Sequence, residues 1–279
     1  MDALRQVEDW PVGTAAAVVL RRDPDGRVRQ VGETGPAARP FRLASVSKLF
    51  SAYAVLIAVE EGAVGLDDPA GPEPSTVAHL LAHASGFAFS DSRVLARPGT
   101  RRIYSNTGFE ELGRVLEKAT GIPFDRYLAE AVFEPLGMSG AVLHGSPAYG
   151  VTGTLADVAA FAAELLAPSL LAPETYARAT SVAFPGLSGV LPGFGLQNPN
   201  DWGLGFEIRG HKHPHWTGKT NSPSTFGHFG RSGTFLWVDP AAGVACAALA
   251  DRDFGDWAAQ AWPRLADDVL AELGAAAPA

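Results

Sequence analysis

Strand-forming stretches lie at both ends of this chain, and a helical stretch lies between them. Residues 12–22, Val-Gly-Thr-Ala-Ala-Ala-Val-Val-Leu-Arg-Arg, form an apolar run that fits a strand. Asp23-Pro-Asp-Gly26 is turn chemistry, and residues 28–32 read as a returning strand, so the chain opens with a hairpin. Four more strand-like runs come far downstream, at 202–209, 225–229, 234–238 and 244–250, with a hairpin turn expected at Asp239-Pro-Ala-Ala-Gly243. An amphipathic helix over 256–273 closes the chain, and the Ala/Pro tail beyond it should fray. Between the two strand regions, helices are predicted over 45–61, 76–84, 107–120, 123–133 and 154–166. Thr154 and Asp157 form a capping signal for the last of these, and a Gly- and Pro-rich loop follows at 185–200. This order predicts one α/β lobe built from both ends of the chain, about 1–66 and 200–279. A helical lobe, about 67–199, is inserted into it, and the whole forms a single domain over 1–279. Pockets favour such lobe junctions.

The 279 residues, 47% of them hydrophobic, can bury a full core without disulfide or metal staples. Lys and Arg number 22 against 30 Asp and Glu, a net charge of −8, which argues against a nucleic-acid partner. The one cysteine, Cys246, lies in the apolar run 244–249 and reads as a buried core thiol, so no intramolecular disulfide is expected. The first ten residues lack the basic start and apolar stretch of a secretory signal. The longest apolar runs, 14–20 and 243–250, fall far short of the roughly 20 residues of a membrane helix. A cytoplasmic protein with no membrane partner is the expectation. Nothing in the sequence indicates an oligomeric state.

Three short patterns carry chemistry. The first is Ser45-Val-Ser-Lys48, at the predicted start of a helix. Residues i and i+3 of a helix share a face, so Lys48 can reach the Ser45 hydroxyl. A serine hydroxyl becomes a nucleophile only when a base takes its proton, and a lysine serves as that base only when burial or another cation lowers its pKa. The helix N-terminus also favours developing negative charge. Taken alone, the four residues fit better a capping serine beside an exposed lysine. The second pattern is Tyr104-Ser-Asn106, in a loop before a helix that Asn106 or Thr107 would cap. A phenolic oxygen near Lys48 can relay protons to a leaving group, and an asparagine amide can hold a substrate carbonyl or orient the lysine. The third is His228-Phe-Gly230, on a predicted strand. Its glycines permit close backbone approach, and the N–H of Arg231 can join that of Ser45 as an oxyanion hole. By itself this triplet reads as an ordinary strand with a satisfied histidine.

Together, in this order, Ser45-x-x-Lys48, Tyr104-x-Asn106 and His228-x-Gly230 resemble the three motifs of the class C β-lactamase-like, or penicillin-binding-protein-like, serine hydrolases. That family includes β-lactamases, D-alanyl-D-alanine peptidases and family VIII carboxylesterases. Phe41-Arg-Leu-Ala-Ser-Val-Ser-Lys48, Thr76-Val-Ala-His-Leu-Leu-Ala-His-Ala-Ser-Gly86 and Glu134-Pro-Leu-Gly-Met138 extend the resemblance to about 12–270. It implies an α+β, β-lactamase/transpeptidase-like fold: a mainly antiparallel sheet flanked by helices, plus an inserted helical lobe. It also implies an acyl-enzyme mechanism without cofactor or metal. Ser45 attacks a carbonyl carbon, Lys48 and Tyr104 move protons, and Asn106 and His228 contact substrate. The strand end at Gly230 and Arg231 completes the oxyanion hole. Whether Lys48 or Tyr104 is the main base stays open.

This chain departs from the lactamase pattern in its third motif, where His228-Phe229-Gly230 stands in place of Lys-Thr-Gly. The resemblance implies that the lost lysine and threonine help hold a substrate carboxylate. Phe229 has no side-chain donor, although Arg231 or Ser232 could compensate. Lys219-Thr220-Asn221 lacks the glycine and reads as a polar loop. The closest match is therefore to the carboxylesterase-type members, acting on small-molecule esters or amides. β-Lactamase or D-alanyl-D-alanine carboxypeptidase activity is one alternative, and an acylated ligand sensor or inactive scaffold is another. His211, His213 and His215 would share one face of an extended strand, as metal ligands can, but Gly210 and Pro214 suggest a surface loop near the site mouth. His79 and His83 share a helix face but lack the glutamate of a zinc-protease helix, and read as packing residues.

Overall fold

The apolar runs at the two ends of the chain pair with each other. In the computed structural model, which describes residues 1–274, β1 (Ala15–Arg22) and β2 (Val28–Thr34) form the opening hairpin. The Ala/Pro tail expected to fray lies outside the described residues. A short β3 (Phe41–Arg42) leads through a 3-10 turn at Ala44–Val46 into α1 (Ser47–Glu60). The middle of the chain supplies α2 (Val77–Leu81), α3 (Asn106–Thr120), α4 (Phe124–Leu128) and a π-turn at Ala129–Phe133. It continues with β4 (Val142–Leu143), β5 (Val151–Gly153), α5 (Leu155–Leu166) and α6 (Pro173–Ala179). A hairpin of β6 (Gly189–Leu191) and β7 (Gly195–Gln197) follows. Then come β8 (Glu207–Ile208), β9 (Phe226–Gly230), β10 (Thr234–Asp239), β11 (Val244–Ala250) and α7 (Asp256–Glu272).

Six of these strands form one sheet of order β2-β1-β11-β10-β9-β8, with every neighbouring pair antiparallel. The unbroken apolar character of β1 and β11 follows from burial on both faces. Side chains alternate across a strand. Val18 and Leu20 accordingly join one core with Leu236, Ala245 and Ala247, while Val19 joins a second with Phe235, Trp237 and Cys246. The second core is closed by α7 through Trp262, Leu265 and Val269. The first is closed by α5, which packs on β1, β10 and β11 although it comes from the middle of the chain.

Local chemistry accounts for the element ends. Thr154 and Asp157 form the reciprocal capping box expected of them. The end of α3 is set by Gly121, whose φ of 71° is the left-handed conformation that favours glycine. Its start is capped by Ser105, whose hydroxyl accepts from the Gly108 N–H at 3.1 Å, rather than by Asn106 or Thr107. The stretch 185–200, expected as loop, contains the β6–β7 hairpin, and the strand expected over 202–209 is ordered into the sheet only at Glu207–Ile208. No helix among the described residues is long and apolar enough to cross a membrane.

Candidate active site

The turn that carries Ser45 is held by three neighbours. Ala44 has a φ of 47°, a left-handed conformation that a residue with a Cβ adopts at a cost. The end of β9 fixes it there: a Cβ on Gly230 would come within 2.4 Å of the Leu43 carbonyl oxygen and 3.2 Å of Ala44 Cβ. Thr234 donates to the same Leu43 oxygen at 2.9 Å, and Ser232 donates to the Arg42 oxygen at 2.5 Å. Ser232 is thus spent on the backbone and is not the free carboxylate binder that the sequence left open. The α-helix begins at Ser47, two residues later than expected, with a 3-10 turn as its lead-in.

Lys48 is fully buried, and its Nζ stands 3.5 Å from Ser45 Oγ. Nζ donates to Asn106 Oδ1 at 2.7 Å and to the Ala148 carbonyl at 2.9 Å. It also lies 4.7 Å from the centre of the Tyr104 ring. Burial pushes the Lys48 amine well below its ordinary pKa, with Glu110 opposing. A neutral amine has two N–H groups and one lone pair. In that neutral form the two carbonyl acceptors would take both N–H groups, and one lone pair would remain on the side of Ser45 Oγ.

Tyr104 lies just before α3, half-buried between His83, Trp202, Phe89 and His228. Desolvation raises its phenol pKa, partly offset by a hydrogen bond with the Ser45 hydroxyl. His228 Nδ1 lies 2.7 Å from the Phe229 carbonyl, so it carries the proton and donates. Nε2 is then free to accept from the Tyr104 hydroxyl at 3.3 Å. Burial pushes the His228 imidazole down to about 3, so it is neutral at ordinary pH.

Ser45, Tyr104, His228 and Arg231 line a cavity of about 280 Å³. Its other walls are mainly apolar: Phe89, Leu191, Pro192, Trp202, Phe229 and Phe254. The Arg231 side chain is exposed and lies 3.5 Å from Asp253. Glu207 also lines the cavity and escaped the sequence reading. So did Arg102, whose buried guanidinium donates to the carbonyls of Ala82, Ala183, Phe184 and Asn200 and so anchors the segment before Tyr104.

The other candidates go elsewhere. Thr220 is bonded to Asp267, and the Asn221 side-chain oxygen accepts from the Gly218 N–H, so the Lys219-Thr220-Asn221 segment is a structural loop. His211 and His213 are exposed, whereas His215 is buried against Glu207, so the three imidazoles do not form a ligand set. Among the described residues, no group of three or more His, Cys, Asp or Glu side chains is arranged to hold a metal ion. His79 stacks on Phe184, and His83 accepts from the Ser105 N–H, as packing residues do.

A family model described as Beta-lactamase matches residues 11–271. The chain belongs to this family. A crystal structure of a beta-lactamase from Mycobacterium bovis is 55% identical, covers 97% of this chain and 99% of its own, and superposes with a TM-score of 0.94. Penicillin-binding protein 4* of Bacillus subtilis is 31% identical over 36% of this chain and 29% of its own length. The D-alanyl-D-alanine-carboxypeptidase/endopeptidase AmpH of Escherichia coli is 28% identical over 48% of this chain and 47% of its own. The chain thus spans less than half the length of these curated relatives. A solved hydrolase with promiscuous acyltransferase activity shares the fold at a TM-score of 0.76 and 18% identity, over 96% of each chain. The fold is that of the β-lactamases and transpeptidases.

Proposed function

We propose that this Beta-lactamase family member hydrolyses small-molecule carboxylic esters or amides through an acyl-enzyme on Ser45. The observation that carries the reading is the bonding of Lys48. Its two carbonyl partners orient a buried amine whose pKa is lowered, with the lone pair toward Ser45 Oγ at 3.5 Å. Lys48 takes the Ser45 proton as the hydroxyl attacks the carbonyl carbon. The Ser45 and Arg231 N–H groups hold the oxyanion. Tyr104, whose raised pKa keeps its phenol protonated, gives a proton to the leaving group and takes one back from the adjacent Lys48 ammonium, and His228 holds that hydroxyl in place. Water then attacks the acyl carbon while giving a proton to neutral Lys48, and Lys48 returns that proton to Ser45 Oγ as the ester bond to it breaks. The opposite pKa directions of the two side chains support Lys48 as the base and Tyr104 as the acid.

The wall chemistry supports neutral substrates. Beside the nucleophile stand Phe229 and other apolar side chains, and Arg231, the one cation lining the cavity among the described residues, is exposed near Asp253. A substrate carboxylate finds little to pair with there. The second reading, a β-lactamase or D-alanyl-D-alanine carboxypeptidase, is favoured by the 55% identity to the Mycobacterium bovis protein. Parallel assays with p-nitrophenyl butyrate and nitrocefin, each with Ser45→Ala as control, separate the two. Faster turnover of the ester, lost in the variant, supports the proposal. Preferential turnover of nitrocefin reverses it, and a single burst with no turnover indicates an acylated sensor.

A further inference from the structure

Glu207 lines the cavity that holds Ser45, yet it is only 2% exposed. β8 places it opposite Gly227, which offers no side chain to cover it. Three side chains from the following loop meet its carboxylate. Lys212 Nζ donates to Oε1 at 2.5 Å, His215 Nε2 donates to the same oxygen at 2.9 Å, and Trp216 Nε1 donates to Oε2. His215 is a donor there because its Nδ1 accepts from the Thr217 N–H at 3.1 Å. A carboxylate can accept about four hydrogen bonds, two on each oxygen. Among the described residues Oε2 has one partner, so it keeps an acceptor position.

A buried ion pair is a poor device for merely tying down a loop, because apolar side chains of similar volume do so with equal or better stability. The hydrolytic steps at Ser45 do not use this carboxylate. Among the described residues it is the one acidic group in a cavity that Ser45, Tyr104, His228 and Arg231 also line and whose remaining walls are mainly apolar: Phe89, Leu191, Pro192, Trp202, Phe229 and Phe254. Small-molecule pockets fix the orientation of what they bind with a few oriented polar groups on a mainly apolar wall. Lys212 already balances the Glu207 charge, so a substrate ammonium would enter the cavity as an uncompensated cation, and a substrate carboxylate would bring only acceptors to an oxygen that is itself an acceptor.

We propose that Glu207 Oε2 is a specificity subsite that accepts a hydrogen bond from a neutral donor, a hydroxyl or an amide N–H, on the substrate group filling the cavity. This rests on Ser45 being the nucleophile and defines its substrates as donor-bearing, uncharged acyl compounds. A site built to pair with such a donor rejects the analogue that lacks it, because the acceptor is then left buried and unpaired.

The test compares kcat/KM for the p-nitrophenyl esters of butyrate, 3-hydroxybutyrate, N-acetylglycine and 3-aminobutyrate on the wild-type protein, Glu207→Gln and Ser45→Ala. At least one of the two neutral donor esters should exceed butyrate by roughly tenfold or more. In Glu207→Gln two donors, Lys212 and His215, hold the amide oxygen at the Oε1 place against the single Trp216 donor at the Oε2 place, so the NH2 takes the Oε2 place and the preference should collapse to about unity. The ratio of two substrates cancels the folded fraction, so a purely structural role for Glu207 would leave it unmoved. Butyrate equal to or faster than both neutral donor esters on the wild-type protein overturns the proposal even if the variant does not fold. The same holds if the ammonium ester is preferred, or if the ratio is unchanged in Glu207→Gln. Butyrate turnover that persists in Ser45→Ala instead overturns the reading of the nucleophile.

Discussion

Lys48 Nζ lies 2.7 Å from Asn106 Oδ1, and this contact joins the candidate base on α1 to the first residue of α3. The amide is neutral, so it orients the amine without stabilising its charge. Asn106→Asp keeps the shape and adds a negative charge beside the nitrogen. An opposite charge at that distance favours the protonated lysine and raises its pKa. Only the neutral amine can take the Ser45 proton, so activity rises with pH through the lysine pKa. The acid limb of kcat/KM should move to higher pH in the variant, with about a tenfold loss near pH 7 and recovery at alkaline pH. A pH–rate profile checks it; an unmoved acid limb would mean that Lys48 is not the base.

Ser45 and Ser47 should separate cleanly. Ser47 Oγ accepts from the Val151 N–H at 3.0 Å and is fully buried, so it fastens α1 to β5. Ser47→Ala should cost about 1–3 kcal/mol by urea unfolding, because it leaves that N–H unpaired, and the kcat of the folded fraction should hold. Ser45→Ala should keep the fold and lose at least about 10³ in kcat. Labelling by a fluorophosphonate, followed by peptide mapping, gives an independent readout of which serine reacts.

Tyr104→Phe preserves the ring between His83, Trp202 and Phe89 while removing the hydroxyl that meets His228 Nε2. The thermal midpoint should change little, and kcat should fall about 10²–10⁴-fold for esters with poor leaving groups. An activated p-nitrophenyl ester needs less protonation of its leaving group and should lose less. Equal losses on both substrate types would remove Tyr104 from the role of acid. Because His228 is neutral down to about pH 3, no limb near pH 6.5 should be traceable to it.

What the sequence could reveal depended on whether the deciding contacts were local. The hairpin at the start and the apolar β11 were legible because turn residues bracket them, and the Thr154–Asp157 cap because both partners lie within one turn. Ser105 was passed over as the cap of α3 because Asn106 is an equally good capping residue; a tertiary contact with Lys48 engages Asn106 instead. The β6–β7 hairpin is three residues a side around a Gly- and Pro-rich turn, too short for any periodicity to show. The alternation of His211, His213 and His215 suggested one strand face, but the chain turns there and sends only His215 inward. Glu207 was invisible because its partners Lys212, His215 and Trp216 carry no shared periodicity, and a single acid in a strand-like run reads as solvent-facing.

The Glu207 cluster also sets a pH-dependent stability that can be measured without any substrate. Burial alone would raise the Glu207 pKa, but the Lys212 ammonium, with His215 beside it, holds it well below the usual carboxylate range. Its folded pKa therefore lies below its unfolded one. The stability it contributes is fully present above the unfolded pKa, near 4.3, and is lost as pH falls through the folded value. Lys212→Met removes the ammonium and leaves the carboxylate buried, so burial now dominates and the folded pKa rises above the unfolded one. The sign inverts: the folded variant gains stability by taking up a proton, on Glu207 or on the neighbouring His215. At pH 7 the variant should be less stable than the wild-type protein by about 3–5 kcal/mol, the cost of an unpaired buried charge. Between pH 7 and pH 5 the wild-type protein draws no such gain from Glu207, so the gap should narrow. Urea unfolding of both proteins at the two pH values measures it. A gap that is constant or widens toward pH 5 would mean that Lys212 does not hold the Glu207 charge.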